Sequence, residues 1–319
     1  MILQTTQKKK VMLVNKTEMV SKQMPSSRTV ALVVTYNRKA LLLECIEALR
    51  KQTVDCSILV VDNASNDGTR HALEPLIQDG TISYIGMSEN LGGAGGFCQA
   101  MKSGVEEGFE YLWAMDDDCI PEPDALEKLL DFAGEHPDFG FLSSKVLWTD
   151  GSACKMNEPK LIEGNLDTDK PVRCRQASFV SFFTSAKTVI ECGLPIADFF
   201  IWGDDVEYTR RISAKHDSWF VPQSIVVHKT ARNTGSDISR DEAERLDRYR
   251  YAYRNEVYIA REEGLSRKMY QLAKICYHTL RVLVVSPDQK SRRIGIIWSA
   301  SKEGLRFNPG KETVHDPRA

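Results

Sequence analysis

The sequence predicts an α/β fold: a mostly parallel sheet flanked by helices, with an added helical region at the C-terminal end. Three observations predict it. Short β-branched runs alternate with helix-period segments through the first 120 residues, as βαβ units require. Polar residues (Asn37, Asp62, Asn90 and Asp116–Asp118) stand at the ends of four successive apolar runs, where open parallel sheets gather their ligands. From about Asp241 the chain changes to long helical patterns dense in Tyr and Arg.

The elements follow in order. Residues 1–28 are polar and Lys-rich and read as an extension, with one short apolar piece at Val11–Val14 that suits a strand. "TVALVVTY" (29–36) is a buried strand, and "KALLLECIEALRKQ" places Leu42, Cys45, Ile46 and Leu49 on one helical face. "CSILVVDN" is a second strand, "RHALEPLIQDG" a helix stopped at Gly80, and "TISYIGM" a third strand. "NLGGAGGF" (90–97) reads as a glycine-rich loop, "CQAMKSGVEEG" as the helix behind it, and "FEYLWAM" as a fourth strand. "EPDALEKLLDFAGEHP" is a helix and "FGFLSSKVLW" a strand, while residues 148–170 read as loop. "RQASFVSFFTSAKTVIECG" returns to strand and helix, "DFFIWGDDVEYTRR" is an acidic turn opening a helix, and "SWFVPQSIVVHKT" is a strand ending on His228. Two long helices follow, and the tail after Ser286 carries little pattern.

Composition narrows the function. A 319-residue chain with 42% apolar residues supports a sizeable core, and a net charge of -2 gives no general attraction to nucleic acid. The eight cysteines include no CxxC pair, which argues against structural zinc; several sit in apolar runs, as reduced core cysteines of a cytoplasmic protein do. No secretory signal pattern is visible, and no apolar run approaches the roughly 20 residues of a membrane-spanning helix. The expectation is a soluble or peripheral protein.

The acidic strings carry the chemistry. "MDDD" follows a buried strand, and carboxylates so placed are costly without a cation. In an extended segment Asp116 and Asp118 share a face and suit a hard ion such as Mg²⁺ or Mn²⁺, with Asp117 left for a ribose hydroxyl; a solvated acidic turn is the other reading. "NLGGAGGF" offers backbone N–H groups for a phosphate, or a tight helix–strand junction, and matches neither the GxGxxG nor the GKS/T string. Asp62 suits a nucleobase or ribose, or an Asx-turn. Asp204 and Asp205 open a helix: one reads as an N-cap, and the second as a general base. Trp202 suits sugar stacking or core packing. His228 suits a third metal ligand, although lone histidines are more often structural.

These pieces, in this order over about residues 29–235, resemble glycosyltransferase family 2 with its GT-A fold. "NLGGAGGF" and "MDDD" look most like the bacterial galactofuranosyltransferases. The resemblance implies a nucleotide-binding half (29–118) and an acceptor half (119–235); the helical region (236–319) lies outside it and is read from the change in residue character alone. It implies uridine at Asp62 with Thr35 and Arg38 nearby, and a donor pocket lined by Asn90, Gly92 and Gly93. Mn²⁺ or Mg²⁺ would be held by Asp116, Asp118 and His228, with Asp117 also at the donor. Asp205 would be the base and Asp204 an acceptor ligand. The implied reaction moves galactofuranose from a UDP-sugar, with inversion, to a glycan or lipid-linked acceptor in cell-surface polysaccharide synthesis. The alternatives are a rhamnosyltransferase using dTDP-rhamnose and a non-catalytic sugar-nucleotide scaffold. The basic, apolar C-terminal helices suit the inner face of the cell membrane, or packing on the core or on a second copy.

Overall fold

The computed structural model describes residues 27–315 and 317, so the expected strand at Val11–Val14 lies outside the described residues. The chain order is β1 (Thr29–Thr35), α1 (Lys39–Arg50), β2 (Ser57–Asp62), α2 (Thr69–Gln78), β3 (Ser83–Gly86), α3 (Gly92–Glu106), β4 (Tyr111–Asp116), β5 (Cys119–Pro121), α4 (Ala125–Glu135) and β6 (Phe141–Trp148). There follow β7 (Lys160–Leu161), β8 (Val172–Gln176), β9 (Phe182–Ser185), α5 (Ala186–Cys192), α6 (Asp204–Ser213) and β10 (Trp219–His228). The C-terminal region holds α7 (Tyr249–Glu262), α8 (Leu265–Val285) and α9 (Lys290–Gly304).

One sheet runs β3-β2-β1-β4-β9-β6-β10-β8-β7, with β5 paired to β10. β3, β2, β1 and β4 are parallel neighbours; β9 is antiparallel to both β4 and β6, and β6 pairs in parallel with β10. β8 and β5 are antiparallel to β10, and β7 to β8, so seven strands point one way and β5, β8 and β9 are reversed. β1 is buried along its whole length because both faces of the sheet are covered. Val30, Leu32 and Val34 face one apolar layer with α3, and Ala31 and Val33 face the other with α1 and α4.

Three expectations need correction. The glycine-rich segment is no loop: α3 begins at Gly92, and its glycines are there for close approach. The tail after Ser286 contains α9. Its buried face is Arg293, Ile297, Ala300, Ser301 and Gly304, so small and charged residues at helical spacing hide the usual apolar signal. Arg293, 1% exposed, donates to the carbonyls of Ile238, Asp241 and Asp288. β7 lies in the 148–170 stretch read as loop, and β8, which begins ahead of the strand read from Arg175, buries only Cys174 among its five residues and so shows no alternation.

The C-terminal helices form their own core around Leu246, Tyr253, Ile275, Val282 and Ile297. A second cluster (Ala94, Ile196, Phe199, Tyr258, Ile259) ties α7 to α3 and to the turn before α6. Among the described residues no helix is long and apolar enough to cross a membrane.

Candidate active site

Parallel pairing brings the strand ends to one edge of the sheet. Thr35 pairs with Asp62, and Val34 with Asp116. The aspartate triplet is not one extended segment: Asp116 ends β4, and Asp117 and Asp118 form the turn into β5. Asp117 is turned inward, where its Oδ2 accepts from the Thr35 hydroxyl at 2.7 Å. Arg38 Nη1 lies 2.6 Å from Asp118 Oδ2 and 3.4 Å from Asp117 Oδ1. Thr35 and Arg38 thus brace the triplet itself.

β5 runs antiparallel to β10 and sets Cys119 opposite His228. That pairing places His228 Nε2 3.0 Å from Asp118 Oδ1, although Asp118 Oδ1 is buried and takes no aligned hydrogen bond. On the far side of the ring, Nδ1 lies 2.8 Å from Asn157 Oδ1. The Asn157 amide nitrogen donates to Ser178 Oγ at 2.9 Å, so its oxygen faces the ring and accepts from Nδ1–H. Nε2 is left to face Asp118 and whatever shares that carboxylate.

These residues fit a hard divalent ion. Two neighbouring ligands at right angles on one six-coordinate ion, each about 2.1 Å from it, stand about 3.0 Å apart. Among the described residues, the cluster whose ligand atoms lie within 4.8 Å of one another is Asp118, Cys119 and His228. Asp116, expected as a ligand, stands outside that cluster because the turn at 117–118 separates it from Asp118. Burial and the Asp118 charge push the Asp116 carboxyl up to about 7, and burial pushes Asp117 to about 6. Burial would also raise Asp118, but His228 and Arg38 hold it below its ordinary range. For His228, burial acts downward, and the Asp118 carboxylate overrides it to about 10. A bound cation would take the place of that proton. Burial keeps the Cys119 thiol well above its ordinary range, so it offers no thiolate and the set stays hard.

Asp62 is buried, with Oδ1 accepting from the Ser65 N–H and Oδ2 from the Tyr84 hydroxyl, each at 2.8 Å. Arg70 lies over the Tyr84 ring, 5.7 Å from its centroid. Tyr84 and Arg70 carry no string that sequence reasoning reads. Asn63 is another such residue: its amide donates to Gly92 O at 3.1 Å, and its buried Oδ1 has no partner.

Asn90 Oδ1 accepts from the Gly92 N–H at 2.8 Å and turns the chain into α3. Gly92 has φ +71°, and a Cβ there would lie 1.9 Å from Phe200 O. Ala94 N–H donates to the same carbonyl at 3.1 Å. A Cβ at Gly93 would meet nothing within 4 Å, so that position is open. α3 is thereby fastened to the acidic turn.

In that turn Phe200 and Trp202 both hold φ of 65°, a conformation L-residues rarely keep unless their surroundings enforce it. The enforcement comes from α7. Asn255, fully buried, donates its amide to the carbonyls of Phe199, Ile201 and Trp202 at 2.9, 3.3 and 2.8 Å. Arg254 donates to Asp198 O and Phe199 O. Gly203 occupies the N-cap position, so neither aspartate is the cap; both lie in the first turn of α6. Asp205 Oδ1 accepts from the Val206 N–H at 2.7 Å. Burial pushes Asp205 to about 6, with Arg210 acting against it. Asp204 rises well above its usual range through burial, the Asp205 charge and the more distant Asp116. Trp202 packs on Tyr249, ring centroids 5.1 Å apart.

Residues 30–153 match the sequence profile of Glycosyl transferase family 2. The chain is similar to the galactofuranosyltransferase GlfT1 of Mycolicibacterium smegmatis, 29% identical over 203 residues, which cover 57% of this chain and 64% of that protein. It is also similar to an undecaprenyl-phosphate mannosyltransferase of Micrococcus luteus, 31% identical over 110 residues, 33% of this chain and 43% of that one. The chain thus spans less than two thirds of each of these relatives. In fold it resembles S. aureus TarS 1-349, solved with UDP (TM-score 0.53, 14% identity, 88% of this chain and 72% of that one). It also resembles the mannosyltransferase PcManGT of Pyrobaculum calidifontis, solved with GDP-Man and Mn²⁺ (TM-score 0.52, 14% identity, 88% and 76%). The α/β domain has the GT-A fold.

Proposed function

We propose that this chain, with its family 2 glycosyltransferase segment, is an inverting, metal-dependent glycosyltransferase that uses a UDP-sugar, with galactofuranose as the sugar. One observation carries the reading. The pairing of β5 with β10 brings His228 Nε2 to 3.0 Å from the buried, otherwise unpartnered Asp118 Oδ1 at the strand ends, the hard-ligand pair a diphosphate-binding cation needs. The likeness to GlfT1 supports galactofuranose over rhamnose.

Asp118 and His228 would hold Mn²⁺ or Mg²⁺, and Asp116 is the further carboxylate we assign to the same ion. That ion supplies neutralisation of the charge developing on the departing diphosphate. The protein's own groups do the rest. Asp62 and Tyr84 bound the nucleoside end, and the open backbone at Gly93 lets the donor pass close to α3. Asp205, with a pKa of about 6, is ionised at neutral pH and poised to take the proton of an acceptor hydroxyl. Asp204, whose carboxyl burial pushes well above its ordinary range, would hydrogen-bond a neighbouring acceptor hydroxyl. A single displacement at the anomeric carbon inverts it and needs no covalent enzyme intermediate.

The acceptor we propose is a glycan, carried on a lipid. The outer face of α8 presents Leu265, Met269, Leu272, Cys276, Leu280 and Leu283 at helical spacing, all exposed. Residues 265–306 carry nine Lys and Arg against two acidic residues, in a chain whose net charge is -2. An apolar stripe with surplus positive charge suits the surface of an anionic bilayer. A donor screen tests the reaction. UDP release from UDP-galactofuranose with Mn²⁺, absent in Asp205→Asn, is expected; turnover only with dTDP-rhamnose would assign the other sugar.

A further inference from the structure

A cavity of about 360 Å³ lies in the seam between the α/β domain and α7–α8. Five cations line it: Lys160 on β7, Arg175 on β8, Arg210 on α6, and Arg267 and Lys274 on α8. Their acidic company is short. Arg210 and Arg267 share Glu263, and Lys274 holds Glu256. Lys160 and Arg175 have no side-chain partner among the described residues. Three positive charges are therefore in excess around a volume of ligand size.

Two further facts locate the cavity. Its wall includes Trp202 and Gly203, the residues that lead into Asp204 and Asp205, and its Arg210 is the cation that acts on Asp205. Its other wall is α8, through Arg267, Tyr270, Gln271 and Lys274. The same helix carries the exposed apolar stripe on its outer face, so the cavity lies between the acidic pair and an apolar surface.

We propose that this cavity is an anionic subsite for the acceptor, taking a phosphate or diphosphate group while the acceptor hydroxyl reaches Asp205 and any attached hydrocarbon follows α8. The proposal deepens the transferase reading and rests on it for the role of Asp205. Nothing in the donor's own binding accounts for these cations, since the donor diphosphate is held at the Asp118–His228 edge. Fixed cations facing a phosphate make charge-assisted bonds, and the paired Arg210 and Arg267 can exchange Glu263 for the ligand.

The test is direct binding to the full chain in EDTA, which disables the metal-dependent donor site. The probes are a polyisoprenyl diphosphate in neutral micelles and inorganic pyrophosphate. Lys160→Glu with Arg175→Glu, both on the rim, should weaken both probes by about tenfold or more, the loss of one or two charge-assisted contacts, and leave Mn²⁺-dependent UDP binding unchanged. Undiminished diphosphate binding by that double variant overturns the subsite. Leu272→Glu with Leu280→Glu should weaken the lipid probe alone. Equal affinity of the wild type for lipid diphosphate and pyrophosphate overturns the placement of a hydrocarbon on α8. A failed donor screen leaves these binding results intact, so the two readings fail separately.

Discussion

The buried side-chain amide of Asn255 donates to the main-chain carbonyl of Trp202 at 2.8 Å, so a helix of the C-terminal region holds the turn that presents Asp204 and Asp205. The same amide serves Phe199 O and Ile201 O. Replacing it with Ala leaves Ile201 O and Trp202 O short of a donor, each worth about 1–3 kcal/mol when unsatisfied, while Phe199 O keeps Arg254. Asn255→Ala is expected to lose about 2–4 kcal/mol of stability in urea unfolding and to lower kcat at least tenfold at a temperature where it is still folded. UDP binding should persist, because the strand ends proposed to receive the nucleotide are not among the partners of the Asn255 amide. Full kcat in that variant would separate α7 from the active site.

Gly92 and Gly93 are adjacent and should behave oppositely. An Ala side chain at 92 meets Phe200 O and demands a left-handed backbone, so Gly92→Ala should unfold at markedly lower denaturant and lose activity. Gly93→Ala meets open space inside a helix and should be stability-neutral or gain up to about 1 kcal/mol. If the donor lies against Gly93, its KM rises in that stable variant. An unchanged KM would move the donor away from the start of α3.

The hydrogen bond from His228 Nδ1 to Asn157 Oδ1 orients the ring toward Asp118. Asn157→Ala should weaken Mn²⁺ binding about 10–100-fold, the range typical of such supporting contacts, read as free Mn²⁺ by electron paramagnetic resonance. Asn157→Asp keeps an acceptor for Nδ1 and should retain more of the affinity. Equal Mn²⁺ affinity in wild type and Asn157→Ala would remove Asn157 from this role.

Asp205 has a folded-state pKa of about 6 against an ordinary 3.8. As the proposed base it must be ionised, so kcat/KM should fall as pH drops through about 6. The stability effect has the opposite sign. A carboxyl whose pKa is raised by folding stabilises the fold while protonated, below its unfolded value, and that contribution is lost as pH rises through about 6. Asp205→Asn should therefore be inactive yet melt higher than wild type at pH 7. A lower Tm with no turnover would make Asp205 a structural residue.

The strands of the nucleotide half were legible because a sheet covered on both faces selects unbroken β-branched runs, and "TVALVVT" and "SILVVD" have few other uses. α1 was legible from apolar spacing, and α4 from the acidic residues at its start with Pro121 and Pro123 before it. The start of α3 was not, since glycine composition reads as loop, while the actual demand is the approach of Phe200 O to Gly92. α9 was hidden because its buried face is built from Arg293, Ala300, Ser301 and Gly304, an arginine satisfied by three carbonyls and residues chosen for smallness. Asn157 and Asn255 had no signal at all. An amide that serves a distant ring or a distant main chain has no characteristic spacing from its partners.

By itself the sequence determined the strand-and-helix alternation, the polar strand ends and the two acidic strings, because each is a local pattern set by burial and backbone preference. Only the tertiary structure decided that His228 meets Asp118 rather than Asp116, that Asp117 is spent on Thr35 and Arg38, and that α7 belongs to the acidic turn. Those outcomes depend on strand order, on the β4–β5 turn and on which helix reaches which carbonyls, and such long-range geometry leaves no mark on neighbouring residues.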